Sequence, residues 1–252
     1  FDLSDPQAED ELYVSESMRR FVGITLGEDK VPDESTILRF RHLLEEHELT
    51  ERIFKEVKSL LEEKRLLLKS GTIVDATIIS APSSTKNRDH ARDPEMPQTK
   101  KGNNWYHGMK VHVGTDTRGL VHSLTVTHAA ESDINQMPEL LHGEEQVIYG
   151  DKAYWCEGDR EAYEDIGIRY RVNRRGSRGR PLTERWKTIN RSRSRVRARC
   201  ETGFLITKRW GFDRVRYRGL AKNRTRAFAA YALANLYMVR HRLMPPGARC
   251  LL

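Results

Sequence analysis

The stretch GTIVDATIIS, residues 71–80, sets one carboxylate, Asp75, inside a run of β-branched and apolar residues. Such a run, short and bounded by Gly71 on one side and by a Pro/Ser-rich segment on the other, predicts a buried strand. An aspartate there is costly unless a cation or several donors compensate it. Asp75 is therefore either a satisfied structural carboxylate or a functional one, and its neighbours in sequence do not decide between the two.

Outward from this strand the periodicity changes on both sides. Upstream, from Ser15 to Lys69, apolar residues recur at three-to-four spacing, with Pro32, Asp33 and Ser35 as start signals and Gly71 as a stop. This predicts an all-helical N-terminal segment over residues 1–70. Downstream, residues 81–103 are dense in Pro, Ser, Asn and charge, and read as a long exposed loop. YHGMKVHVGTDTRGLVHSLTVTHA then alternates on both sides of Thr115–Gly119 and predicts a hairpin. DINQMPELLHG reads as a short amphipathic helix, EQVIYGDKAY as a strand running into Asp151, EGDREAYEDIG as a helix and IRYRVN as a strand. A long helical stretch begins near Pro181. Strands interleaved with helices after a hairpin predict an α/β fold, a mixed sheet covered by helices. The expected division is a helical segment over 1–70, an α/β core with an Arg-rich region over 71–226, and a C-terminal helix and tail over 227–252.

Charge is segregated along the chain. Residues 1–70 carry 17 acidic and 11 basic side chains, whereas residues 171–226 carry 3 acidic and 20 basic. A basic segment dominated by arginine is the electrostatic footprint of a nucleic-acid contact, because the guanidinium fork suits phosphate oxygens. Cys156, Cys200 and Cys250 show no C-x-x-C spacing, so neither a disulfide framework nor a zinc ribbon is expected. A reducing cytosol is the default compartment. No apolar run is long enough to span a bilayer, and no signal-peptide pattern opens the sequence.

Within the basic segment, RSRSRVRARCETGF (191–204) ends five alternate arginines with a single acid, Glu201. Read as one helix from Arg193 to Trp210, Val196, Cys200, Phe204 and Thr207 form a core-facing stripe, and Arg197, Glu201 and Lys208 line the face beside it. A surface ion pair between Arg197 and Glu201 is one reading. The other joins Glu201 to Asp75 and Asp151, two aspartates delivered by strands, as a site for two Mg²⁺ ions, about 3.5–4 Å apart, acting on a phosphodiester. Three acids suffice, since Mg²⁺ keeps waters and takes substrate oxygens.

VPDESTILRFR, GTIVDATII, WYHGMKVHVGTD, VIYGDKAY, RARCETGFLITKRWGFDRVRYRGLAKN and ALANLYMVRHRL together resemble the DDE transposases of bacterial insertion sequences, in the group typified by the fifth catalogued element. The resemblance implies a ribonuclease-H-like fold. It also implies catalytic, metal-binding roles for Asp75, Asp151 and Glu201, and Mg²⁺ as cofactor with Mn²⁺ as substitute. The implied partners are double-stranded DNA, both terminal inverted repeats and target, and further copies of the chain, in a cytoplasmic, nucleoid-associated setting with no membrane role. The related signature Tyr-x2-Arg-x3-Glu-x6-Lys matches at Arg197, Glu201 and Lys208, with Ser194 at the Tyr position. Arg197 and Lys208 are expected to hold DNA phosphates. Arg216, Arg218 and Lys222 of RYRGLAKN either cradle DNA or form a basic loop. The arginines of 171–195 are expected to make nonspecific phosphate contacts. His107, His112, His122 and His128 read as strand-face histidines. Trp105, Trp155 and Trp210 read as packing residues, with base stacking as the alternative.

Overall fold

In the computed structural model, which describes residues 3–86, 88, 90–177 and 179–244, four helices precede the sheet. They are α1 (Asp5–Val14), α2 (Glu16–Val22), α3 (Glu34–Glu46) and α4 (Leu49–Glu63). Helix α1 lies ahead of the helical pattern read from Ser15. Its start signal is a capping box in which the Ser4 side chain accepts from the Gln7 amide and Gln7 reaches back to the Ser4 amide. Asp33 caps α3 through the Thr36 amide, as its position in PDES predicts. Helix α4 ends eight residues before Gly71, where Arg65 turns to φ +53°. This break lets Leu66 and Leu67 leave the helix and bury against Leu61, Leu120 and Val239.

The sheet is built from β1 (Thr72–Ser80), β2 (Gln98–Lys101), β3 (Asn104–Asp116), β4 (Val121–His128), β5 (Val147–Gly150) and β6 (Arg169–Val172). β1 pairs antiparallel with β3 and parallel with β5, β4 is antiparallel to β3, and β6 is parallel to β5. The resulting order β4-β3-β1-β5-β6 is a mixed, ribonuclease-H-like sheet, with β2 added to the first residues of β3. β2 corrects the reading of 81–103 as loop throughout. Lys101 and Asn104 pair across the two-residue turn Gly102-Asn103, a hairpin signal hidden in a polar stretch.

Helices cover both faces. α5 (Met137–Leu140), α6 (Glu157–Asp165), α7 (Glu184–Arg197), α8 (Glu201–Arg209) and α9 (Leu220–Leu243) complete the chain. The segment read as one amphipathic helix before β5 is a 3-10 turn, Asp133–Gln136, followed by the single turn of α5. Strand alternation divides the core. Ile73 and Ile79 of β1 pack with Phe54 of α4, Phe204 of α8 and Phe228 and Tyr231 of α9. Val74 packs on the opposite face with Met137, Leu140, Ile148 and Tyr170. Helix α9 is longer than the apolar run that marks it. Its buried Asn235 donates to the Val121 carbonyl at 2.7 Å and accepts from the Val121 amide at 2.9 Å, satisfying backbone groups at the start of β4.

His122 lies in this core, bonded to Thr72 Oγ1 at 3.1 Å and Ser123 Oγ at 2.9 Å. Burial, with neighbouring His142 adding to it, lowers its pKa from 6.5 to about 3. The unfolded chain therefore takes up a proton near pH 6.5 that the folded chain refuses, so this contribution is present above pH 6.5 and is lost as pH falls towards 3. Thermal melts of the wild type should show a falling midpoint from pH 7 to pH 5. A His122→Gln variant should show a smaller fall over the same range.

Candidate active site

Asp75 sits mid-strand in β1 on the face that carries Ile73 and Ile79. Asp151 follows β5 directly and caps the 3-10 turn Lys152–Tyr154, its Oδ1 accepting from the Ala153 amide at 2.6 Å. The parallel register pairs Thr72 with Ile148 and Ile73 with Tyr149. Continued by two residues beyond that pairing, the register sets Asp151 on the Asp75 side of the sheet, near enough for its charge to act on Asp75. Both aspartates line one cavity of about 220 Å³, together with Lys100, Lys110 and Asp133.

Asp75 is 9% exposed. Its Oδ1 accepts from the Ala76 amide at 2.9 Å, and its Oδ2 accepts from Arg197 Nη1 at 2.5 Å and from the Cys200 thiol at 3.3 Å. Burial raises the Asp75 pKa and the neighbouring Asp151 adds to the rise, while Arg197, the Ala76 amide and Cys200 pull against it. Burial weighs most against the Arg197 charge, yet Asp75, joined by Cys200 and Asp151, holds the guanidinium above its ordinary value. The costly carboxylate thus has a cation and a thiol donor from the basic segment that sequence reading singled out, and an amide donor from its own strand.

Arg197 ends α7, and Glu201 begins α8, with a 3-10 turn, Ala198–Cys200, between them. This corrects the single helix expected from Arg193 to Trp210. The interruption lies where the β3–β4 turn packs. Arg199 donates to the Thr117 carbonyl at 2.7 Å, and a Cβ on Gly119 would stand only 2.4 Å from the Arg199 carbonyl oxygen. The apolar stripe survives the tightening: Cys200, Phe204 and Thr207 are buried.

Glu201 is not in the aspartate cavity. Its side chain is 53% exposed and its Oε1 lies 3.7 Å from Arg197 Nη2, so Arg197 stands between it and Asp75. Among the described residues no group of three or more His, Cys, Asp or Glu side chains is close enough to hold a metal ion. Two aspartates at adjacent strand positions are nevertheless a donor set that suits a hard divalent cation, which asks for few carboxylates and keeps waters. Lys208 is exposed on α8. Arg216 and Arg218 line a separate cavity with Pro82 and Asp93, and Lys222 a third one with His42 and Glu46, so neither group shares the aspartate cavity. Ser194 Oγ accepts from Asn173 Nδ2 at 2.9 Å and ties α7 to the end of β6.

Sequence reading missed Asp133 and Lys110. Lys110 Nζ donates to Asp133 Oδ1 at 2.8 Å and to the Glu131 carbonyl at 2.7 Å, lining the cavity with a neutralised pair. The signal available was Lys110 alternating with Met109 and Val111 in an otherwise apolar strand. Among the histidines, His112 and His122 are buried in the hairpin. Trp210 packs edge-on against Tyr237 with ring centroids 5.7 Å apart, and Trp105 is exposed.

Comparison with known proteins gives the family. The Transposase DDE domain matches residues 66–236, from the end of the α4 segment through most of α9. A second description, Transposase domain (DUF772), matches residues 1–43. A solved structure, "Crystal structure of the Mos1 Strand Transfer Complex", matches with 14% identity and a TM-score of 0.24, covering 79% of this chain and 72% of that one. The chain belongs to the DDE transposase family, enzymes of DNA cleavage and strand transfer. Among the described residues no helix is long and apolar enough to cross a membrane.

Removing Arg197 leaves the Asp75 carboxylate without its cation, and breaking such a pair costs about 3 kcal/mol, near the low end because the Arg197 side chain is 24% exposed. Urea unfolding should show that loss for Arg197→Ala. Glu201→Gln should stay within about 0.5 kcal/mol of wild type, since it changes a largely exposed group.

Proposed function

We propose that Asp75, Asp151 and Glu201 form the catalytic set of this transposase and hold its divalent metal, and that the site cuts DNA at the ends of an insertion element and joins the freed ends to target DNA. The observation that carries this reading is the β1–β5 register, which sets Asp151 on the Asp75 side of the sheet, in one cavity beside the arginine-rich α7. Bound Mg²⁺, or Mn²⁺ in its place, would supply charge stabilisation to the attacking and leaving oxygens of an in-line displacement. In the first reaction a water oxygen attacks phosphorus, and the 3′ oxygen leaves and takes a proton. In the second, that 3′-OH attacks a phosphodiester of the target, whose own 3′ oxygen leaves.

The chain's residues prepare both reactions. Arg197 neutralises Asp75 in the free protein, and its long side chain is able to exchange that carboxylate for a phosphate oxygen. Such an exchange would clear the space between Asp75 and Glu201. Lys110 holds Asp133 so that the cavity carries fewer unpaired negative charges when DNA arrives. Lys208, exposed on α8, is suited to contact phosphates further along the strand, and Arg216, Arg218 and Lys222 to contact DNA outside the cavity. The terminal inverted repeats are the cognate duplex, and two of them require at least two copies of the chain. Within the family the chain falls in the group typified by the fifth catalogued insertion sequence, and acts where bacterial DNA is, in the nucleoid.

The test is cleavage and joining of a DNA carrying the element's ends, with Mg²⁺ or Mn²⁺. Wild type should release a 3′-OH end and form joined product. Asp75→Ala, Asp151→Ala and Glu201→Ala should each lower cleavage by at least about a hundredfold. Undiminished metal-dependent cleavage in any of the three would remove that residue from the set. Cut DNA without joined product would make the chain a nuclease, and binding indifferent to metal and to all three acids would make it a DNA-binding protein only.

A further inference from the structure

A groove of about 950 Å³ opens beside Asp151 and is lined by Lys100, Lys152, Arg174, Arg175, Lys187 and Arg197. Four of these come from the β2 hairpin, the turn after β5 and helix α7, so the cationic surface is made by the fold and not by the arginine run alone. Arg174 stands apart from the rest. Its guanidinium carbon lies 4.8 Å from the ring centroid of Trp186 and 5.6 Å from that of Trp155. Its backbone is locked as well: its amide donates to Asn190 Oδ1 at 3.0 Å, and Asn190 Nδ2 donates back to its carbonyl at 3.0 Å.

The two tryptophans are themselves held. Trp155 lies 5.8 Å from Tyr170, which stacks on Tyr163 at 6.0 Å, and Arg193 lies over Trp186 at 5.7 Å while donating to the Val172 carbonyl at 2.6 Å. Three rings, Arg174, Trp186 and Arg193 thus form one continuous chain of contacts from α6 to α7. Contact with aromatic faces spends none of the five guanidinium donors. Among the described residues no carboxylate pairs with Arg174. A half-buried, immobilised cation with unspent donors, in a groove that contains a proposed catalytic aspartate, is a site for an anion with two acceptor oxygens.

We infer that Arg174, clamped between Trp155 and Trp186, is a positioning residue that grips one backbone phosphate of the DNA strand in the Asp151 groove and so sets which phosphodiester reaches the aspartates. The inference rests on the function proposed above and adds to it a fixed point of register, distinct from the nonspecific phosphate contacts expected of an arginine-rich segment. Lys152 and Lys187, both exposed and the latter paired with Glu184, then follow the same strand without fixing it.

Two measurements on the full chain test this. In the first, wild type is treated with phenylglyoxal with and without a fluorescein-labelled DNA duplex, and modified arginines are located by mass spectrometry. DNA should slow modification of Arg174 severalfold and leave that of Arg20 on α2 unchanged; equal rates at Arg174 would overturn the inference. In the second, affinity for the same duplex is measured from about 50 to 200 mM salt. Arg174→Ala should weaken binding and lower the salt slope by about one. Arg174→Lys should keep the slope yet shift or blur the cut position, because it keeps the charge and loses the planar fork. Binding, slope and cut position all equal to wild type in both variants would also overturn it. Protection of Arg174 without metal-dependent cleavage would sink the catalytic reading alone, and cleavage with Arg174 unprotected would sink this one alone.

Discussion

A carboxylate buried in the middle of a sheet is the constraint on which the rest of this structure depends. Asp75 occupies a position that strand periodicity assigns to the core, where an unpaired charge would cost several kcal/mol. The fold answers with Arg197, 122 residues away in sequence, and with the Ala76 amide and the Cys200 thiol. For that guanidinium to reach the sheet, α7 must end over β1. For α7 to end there, the 3-10 turn Ala198–Cys200 must pack on the β3–β4 turn, where Gly119 leaves room for the Arg199 carbonyl. The C-terminal half meets this electrostatic requirement while it also packs Phe204, Phe228 and Tyr231 on Ile73 and Ile79 of β1.

The same requirement shapes the site. Arg197 serves as the counter-ion of Asp75 and as a barrier between Asp75 and Glu201, so one side chain links stability to the arrangement of the proposed catalytic acids. Glu201 is displaced because α8 starts at the end of that turn, with its buried face already taken by Cys200, Phe204 and Thr207. Core packing decides the axial rotation of α8, and the acid borders the cavity as a result.

A second constraint runs along the strand ends. Asn173, Arg174 and Asn190 tie the end of β6 to α7, and Ser194, at the position where the family signature has tyrosine, accepts from Asn173. The serine braces α7 against the end of β6. The chain of rings and guanidinium groups from Tyr163 to Arg193 stiffens the same junction. Rigid elements thus carry the cations closest to Asp151, whereas Lys208, Arg216 and Lys222 lie on separate surfaces.

Much of this was legible in the residues. The strand around Asp75, the hairpin, the strand before Asp151, the cap at Asp33 and the buried stripe of 196–207 all follow from local periodicity and turn chemistry, which act over a few residues. What local patterns missed has a common cause. α1 is set by a capping box rather than by an apolar stripe, β2 is a polar strand recognisable only from its partner, and the 3-10 turn arises from contact with a distant glycine. Sequence alone determined that three acids and a block of arginine would be present, and that two of the acids would be borne on strands. Only the tertiary structure decided that Arg197 meets Asp75, that Glu201 stays outside, and that Arg174 is caught between two tryptophans. Those choices depend on which helix packs over which strand, and that is settled by the burial of side chains far apart in the chain.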